Sequence, residues 1–333
     1  MDADQHVMPP TVTDQRMMPA TDAAALVSKV VDELERAVVG KRAVLELILL
    51  GLVADGHVLL DDLPGVAKTL TARSLARVTG LSFSRIQFTP DLLPADITGA
   101  TVFDAASASF TFRPGPVFGN LVLGDEINRA PAKTQAALLE AMQERQVTID
   151  GTTHPLPRPF LVVATQNPIE HEGTYALPEA QLDRFLLRTR MGYPQADDEA
   201  ELLTRRVARG TDEVALDQVC TVDEVLGLQR SVEQVHVDEA VARYVVALAR
   251  GTRDDPEVEV GASPRGSLSL LKLARAQALA RGRDFVDPDD VKAVALPALA
   301  HRLVLRSEVW VRGIPPEAVV ERVVASVPAP SWR

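Results

Sequence analysis

The spacing of hydrophobic positions changes along the chain. From Ala23, through LVSKVVDELERAVV to Gly40, apolar residues recur at helical spacing, and a second helical stretch follows from Lys41 to about Ala54. The period then shortens. Apolar runs VLL (58–60), FSRIQ (83–87), LVLG (121–124) and FLVVAT (160–165) alternate with helical segments, and LLRTRM (186–191) makes a fifth. Short apolar runs alternating with helices are what strands buried on both faces require. The expected fold is therefore α/β, a doubly wound, mostly parallel sheet with helices on both faces.

Two insertions break that rhythm. ATVF (100–103) and SFTF (109–112) flank a polar turn, and VTIDGTTHPL carries Asp150-Gly151, a pair suited to a two-residue hairpin turn. After Tyr193-Pro194 no further strand is expected. Thr221-Val222-Asp223-Glu224 has the spacing of a capping box, and VDEAVARYVVALARG is expected to close on Gly251. Ser267–Arg281, Pro288–His301 and Pro315–Val327 read as amphipathic helices. The chain thus divides into a flexible N-terminal tail (1–22), an α/β core with two inserted hairpins (23–194) and a smaller all-helical domain (195–333).

Composition narrows the classes. With 333 residues the chain can build a core that needs no covalent staples. Its one cysteine, Cys220, excludes a disulfide framework and a cysteine-based zinc site, and makes a reducing cytoplasmic setting the default. The six histidines are scattered, and His171-Glu172 lacks the partners of a zinc helix motif. A formal charge of −11 without a dense Lys/Arg run disfavours nucleic acid as the main partner. The apolar stretch Val44–Leu60 is interrupted by Glu46, Asp55, Gly56 and His57, so it reads as a helix and a strand instead of a membrane span. The first twenty residues lack the apolar segment of a signal peptide.

Between the first apolar strand and the helical LTARSLARV lies DDLPGVAKT, residues 61 to 69. A phosphate-binding loop needs successive N–H groups pointing inward, a helix N-terminus behind them, an ammonium, and a hydroxyl for Mg2+. Gly65, Lys68 and Thr69 supply the parts that only those residue types can supply. The general pattern G-x-x-x-x-G-K-[ST] nevertheless fails twice, because Asp62 and Ala67 stand at its glycine positions. Asp62 falls at a strand end, where Asp tolerates unusual backbone angles, and its carboxylate is expected to turn away from the phosphates. Ala67 falls at the helix start and is expected to have a right-handed helical backbone. Taken alone, the stretch fits a plain strand, turn and helix as well as a nucleotide site.

Further candidates stand at other strand ends. Asp125-Glu126 follows LVLG, where one carboxylate can hold Mg2+ through water and the next can polarise an attacking water; alone, the pair could equally cap a helix. FLVVAT ends in Gln166-Asn167-Pro168, and an amide there could orient that water or simply make a turn. Arg184 in LPEAQLDRF and Arg265 in GASPRGS are surface cations or, alternatively, bidentate partners for a γ-phosphate.

Together, DLPGVAKT, LGDEINRAP, ATQNP, LPEAQLDRF and SPRGSLSLLKLARAQAL resemble the MoxR family of AAA+ ATPases, in matching order over roughly residues 23 to 305. Members of this family often carry Ala before the lysine, so Asp62 is the real departure from the general loop pattern. The resemblance implies a P-loop AAA+ core followed by a helical lid, with ATP and Mg2+ as cofactors. Pro64, Gly65, Val66, Ala67, Lys68, Thr69 and Leu70 would cradle the nucleotide, with Thr69 and Asp125 on the Mg2+ side. Val39 and Gly40 would pack on adenine. Glu126 would activate water, Asn167 and Arg265 would be the two sensors, and Arg184 would be an arginine finger acting on a neighbouring subunit's ATP. The hairpins resemble insertions that face the pore of a ring. The implied protein is a hexameric, chaperone-like remodeller of protein clients, including proteins with a von Willebrand factor A domain. A nucleic-acid motor and a slow assembly switch stay open. Against the motor, the hairpin at 98–114 has only Arg113 as a cation and VTIDGTTHPL has none.

Overall fold

The computed structural model describes residues 17–63, 65–106, 108–167 and 175–330; Pro64, the His171-Glu172 pair and most of the expected tail lie outside them. Helix α1 (Ala20–Glu35) buries Leu26, Val27, Val30, Val31 and Leu34 along one stripe, and α2 (Arg42–Val53) is apolar on most sides. The chain then runs through β1 (Val58–Asp61), α3 (Lys68–Val78), β2 (Phe83–Gln87) and the short α4 (Pro94–Thr98). A hairpin, β3 (Gly99–Asp104) with β4 (Ser109–Pro114), precedes β5 (Leu121–Asp125) and α5 (Ala132–Glu144). A second hairpin, β6 (Gln146–Ile149) with β7 (Thr152–Pro155), precedes β8 (Leu161–Gln166), α6 (Glu179–Leu182) and β9 (Leu187–Thr189). Asp150 and Gly151 both take positive φ, 49° and 80°, as the tight turn between β6 and β7 demands.

The five strands β2-β5-β8-β1-β9 form one parallel sheet in that order. Val58 and Leu60 face an apolar layer built from α1, α2, α3 and helices of the C-terminal part, whereas Leu59 faces α5, Phe88, Phe160 and Phe185. Successive residues of β1 thus point to two buried faces, which is why the strand reads as a continuous apolar run. Asp61 is in register with Gln166, and Gln87 with Asp125, so the C-terminal ends of β1, β8, β5 and β2 reach a common edge.

Helices dominate the rest: α7 (Ala196–Arg209), α8 (Val222–Gln234), α9 (Glu239–Asp254), α10 (Pro264–Ala280), α11 (Pro288–Leu299), α12 (Ser307–Val311) and α13 (Pro316–Ser326). Thr221 and Glu224 form the capping box, with the Thr221 N–H donating to the Glu224 carboxylate at 2.8 Å. Two expectations need correction. The strands do not stop at residue 194, because β10 (Val258–Val260) and β11 (Val304–Leu305) pair as a small antiparallel ribbon. Nor does α9 close on Gly251; it continues to Asp254, and a β-carbon at Gly251 would lie 2.7 Å from Val323 of α13. That glycine permits a close helix crossing instead of a cap.

Candidate nucleotide site and the opposite arginine face

A parallel sheet gathers the residues that follow its strands at one edge, where open α/β folds bind ligands. The loop after β1 lies there. Gly65 has φ 83°, and Ala67, against expectation, is left-handed with φ 62° and ψ 19°; helix α3 starts only at Lys68. The reversal from strand into helix is completed at Ala67 itself, so the glycine of the general pattern answers a real backbone need, at about 1 kcal/mol for an alanine. A β-carbon at Gly65 would meet nothing within 4 Å, so the glycine is there for its positive φ and not for want of space. Lys68 is buried and its Nζ donates to the Asp62 carbonyl at 2.8 Å. Burial pulls its pKa down, opposed by the charges of Asp62, Asp125, Glu126 and Asp61. Thr69 is half-buried on the first turn of α3, Val66 is buried and Leu70 is exposed. The Asp62 carboxylate does turn away, toward the backbone of Met191 and Gly192.

Asp125 ends β5. Its Oδ2 accepts from Arg85 Nη2 at 2.6 Å and Nε at 3.2 Å, and its Oδ1 accepts from the Thr165 hydroxyl at 2.7 Å. Glu126 is left-handed, φ 57° and ψ 50°, and its N–H donates to Thr165 Oγ1 at 2.9 Å. Its carboxylate accepts from Gln87 Nε2 at 2.9 Å and from Arg129 Nη1 at 3.1 Å. Asn167 follows β8, which lies between β5 and β1, and its carbonyl accepts from Asn128 Nδ2 at 3.3 Å. Val39 and Gly40 border the segment that leaves β9, since a β-carbon at Gly40 would touch Asp198 and the neighbouring Lys41 donates to the Tyr193 carbonyl at 2.7 Å. Among the described residues no cluster of three His, Cys, Asp or Glu could hold a metal by itself. One carboxylate with one hydroxyl is, however, a donor set for Mg2+, which keeps several waters and takes further oxygens from phosphates.

Arg184 and Arg265 are elsewhere. Together with Lys272 and Arg145 they line a cavity of about 280 Å3 that also touches Asp55, Gly56 and His57, before the N-terminal end of β1. The four residues of β1 separate this face from the loop, about 13 Å at about 3.3 Å per residue. The structure therefore brings the loop, acid pair and Asn167 together, and brings the two arginines together, but not the two groups to each other. Asp183 fixes the arginine face. Its carboxylate accepts from buried Arg302 Nε at 2.7 Å and from Ser263 Oγ, the N-cap of α10, at 3.0 Å. The cap sets the first turn carrying Arg265 beside the residue before Arg184. His57 joins the layers beneath: its Nδ1 accepts from the Val162 N–H at 3.0 Å and its Nε2 bonds to the Met142 carbonyl at 3.1 Å, which defines the neutral Nε2–H tautomer. Burial, with Arg145 adding, pushes its pKa down to about 3.

Sequence reasoning missed Arg85, Gln87 and Thr165, although FSRIQ shows Arg85 and Gln87 two apart on one strand, hence on one face. It also missed Asp183 with Arg302, 119 positions apart, for which no local signal exists. The hairpins are not independent: Phe112 of β4 stacks on His154 of β7 with ring centres 4.1 Å apart, and Phe118 packs on the edge of Phe112 at 5.6 Å. Phe103 and Phe110 pair at 5.2 Å and remain exposed.

Residues 57–187 match the family described as ATPase family associated with various cellular activities (AAA), and residues 250–323 match the AAA lid domain. The chain is 48% identical over 312 residues to the protein YeaC of Bacillus subtilis (strain 168), covering 94% of this chain and 97% of that one. It is 47% identical over 307 residues to the chaperone MoxR1 of Mycobacterium tuberculosis, covering 90% of this chain and 81% of that one. A crystal structure of a Cytophaga hutchinsonii protein superposes with a TM-score of 0.87 at 39% identity, covering 94% of this chain and 97% of that chain.

Proposed function

We propose that this chain, which belongs to the MoxR family of AAA+ ATPases, hydrolyses Mg2+-bound ATP between neighbouring copies in a ring and uses the cycle to remodel protein clients. The opposed placement of the two groups carries the reading: Lys68, Asp125 and Glu126 lie at one edge of the sheet, and Arg184 and Arg265 at the other. A single copy cannot lay its own arginines on a phosphate held by its own loop. Head-to-tail copies can, and such heterologous contacts close into rings; the family resemblance points to a hexamer.

Within that site each residue has a role. N–H groups from Gly65 to Thr69 and the start of α3 receive the phosphates, and Lys68 places an ammonium among their oxygens. Thr69 and Asp125 would hold Mg2+, whose charge neutralises the β- and γ-oxygens when bound. Glu126 polarises the attacking water and Asn167 orients it. Arg184 and Arg265 of the adjacent copy stabilise the charge that builds on the departing phosphate. The loop Pro64–Leu70 and Val39–Gly40 hold the rest of the nucleotide.

The acidic chain and the cation-poor hairpins favour protein clients over nucleic acid, and the relative named a chaperone agrees. Clients with a von Willebrand factor A domain, and a cytoplasmic site of action, follow from the resemblance. No helix among the described residues is long and apolar enough to cross a membrane. Steady-state hydrolysis measured with and without Mg2+ and DNA, alongside the mass in solution, tests the reading. Mg2+-dependent turnover by a ring, unchanged by DNA, is expected; severalfold stimulation by DNA would indicate a nucleic-acid motor, and near-absent turnover an assembly switch.

A further inference from the structure

Asp62 occupies the position where the general phosphate loop has glycine, and the reaction outlined above gives it no task. It is 5% exposed, and each of its polar groups is engaged. Oδ2 accepts from the backbone N–H of Met191 and, at 2.8 Å, of Gly192, just after β9; Oδ1 accepts from the Leu63 N–H at 3.0 Å. The Asp62 N–H donates to the Gln166 carbonyl at 3.0 Å, one residue before Asn167. Its carbonyl accepts from Lys68 Nζ at 2.8 Å. Three N–H donors on one buried carboxylate fix the side chain firmly, because charge-assisted hydrogen bonds are about twice as strong as neutral ones. A fixed side chain fixes the peptide that carries the carbonyl, and that carbonyl sets where the Lys68 ammonium rests.

Glycine here would do the opposite. It would leave the buried Met191 N–H without this acceptor and release the backbone of residue 62 to a wide range of angles. An ammonium has three donors, so Lys68 can keep the Asp62 carbonyl and still offer two protons to phosphate oxygens. We infer that Asp62 is a positioning residue for nucleotide binding: anchored on Met191 and Gly192, it orients the first peptide of the loop so that Lys68 stands ready at the phosphate site. The sequence departure is thus an aid to binding and not a defect. This inference rests on the reading of residues 61–69 as the nucleotide site.

The test is equilibrium titration of the full chain with a methylanthraniloyl-labelled ADP, together with ATP turnover at saturation. Asp62→Gly, which restores the first glycine of the general pattern, should weaken binding at least tenfold while saturated turnover stays within about threefold, because the residue acts on binding and not on the chemical step. Asp62→Asn retains one acceptor oxygen for Met191 and Gly192 and should lose only about threefold, so the order is wild type, then Asn, then Gly. A Gly variant that binds as tightly as wild type, or tighter, overturns the inference, as does a drop in saturated turnover without a drop in affinity. If Asp62→Gly does not fold, Asp62→Asn carries the test, and unchanged affinity there overturns it. Wild type binding and Lys68→Ala not binding would leave the nucleotide-site reading standing whatever Asp62 does; a wild-type chain that binds no nucleotide would sink both.

Discussion

The two edges of the sheet are built differently. At the C-terminal edge the charged groups are held within the subunit: Lys68 on the Asp62 carbonyl, Asp125 on Arg85 and Thr165, Glu126 on Gln87 and Arg129. At the opposite edge Arg184 and Arg265 form no ion pair among the described residues, and face an open cavity while buried neighbours hold their backbone. An edge that satisfies itself persists until a ligand offers better partners. An edge whose cations have no ion pair among the described residues can accept an anion from outside. On the proposed function, the difference means that the reacting constellation is split between the two edges, each held by its own hydrogen bonds.

The largest stability effect should come from the arginine edge. Arg302→Leu removes a buried guanidinium and leaves Asp183 unpaired, at a cost of about 3 kcal/mol, near the low end because Asp183 is one-fifth exposed; urea unfolding measures it. A cost below about 1 kcal/mol would mean the arginine face is not rigidly held. At the loop edge, Glu126→Gln should bind ATP as wild type does yet hydrolyse it at least ~100-fold more slowly. Equal loss of affinity in this variant and in Lys68→Ala would make Glu126 a ligand or a cap.

His57 sharpens the comparison through pH. Its folded pKa of about 3 lies below the ordinary 6.5, so below pH 6.5 the unfolded chain binds a proton that the folded chain refuses. The stability it confers is complete above pH 6.5 and falls as pH drops from there toward 3, by about 2 kcal/mol at pH 5. Unfolding at pH 7 and pH 5 should therefore show about that much less acid sensitivity in His57→Gln than in wild type. The smallest effect belongs to Ala67→Gly. Relief of about 1 kcal/mol of left-handed strain, less the freedom glycine adds to the unfolded chain, should leave a gain of about 0.5 kcal/mol. Calorimetry showing destabilisation instead would contradict the backbone angle at Ala67.

Much of this was legible in the residues, for identifiable reasons. Strands buried on both faces must be apolar throughout, so VLL, LVLG and FLVVAT announced a parallel sheet, and Asp150-Gly151 announced its turn. Asp125, Glu126 and Asn167 could be named because each stands at or directly after the end of a strand. What escaped depends on distance or on reversal of the chain. Ala67 looked helical because α3 begins next to it, yet the turn into that helix consumes its φ. The β10–β11 ribbon is too short to show a period. Gly251 resembled a stop signal, but its missing side chain is required by α13, far along the chain. The location of Arg184 with Arg265 on the far edge follows from Asp183, Arg302 and Ser263, which only the folded chain assembles.

The central claim is that two copies complete one site. Mixing Lys68→Ala with Arg184→Ala tests it most directly, after labelled subunits are shown to exchange and wild-type doping shows that isolated intact sites turn over. Each variant alone should be nearly inactive. In the mixture some interfaces join an intact loop to an intact arginine, and the rate enhancement an arginine supplies in related phosphoryl transfers, ~10³ or more, should return there, so hydrolysis rises well above either parent. A mixture that stays as inactive as each variant alone, with exchange and doping both demonstrated, would contradict the claim and return Arg184 to its own subunit.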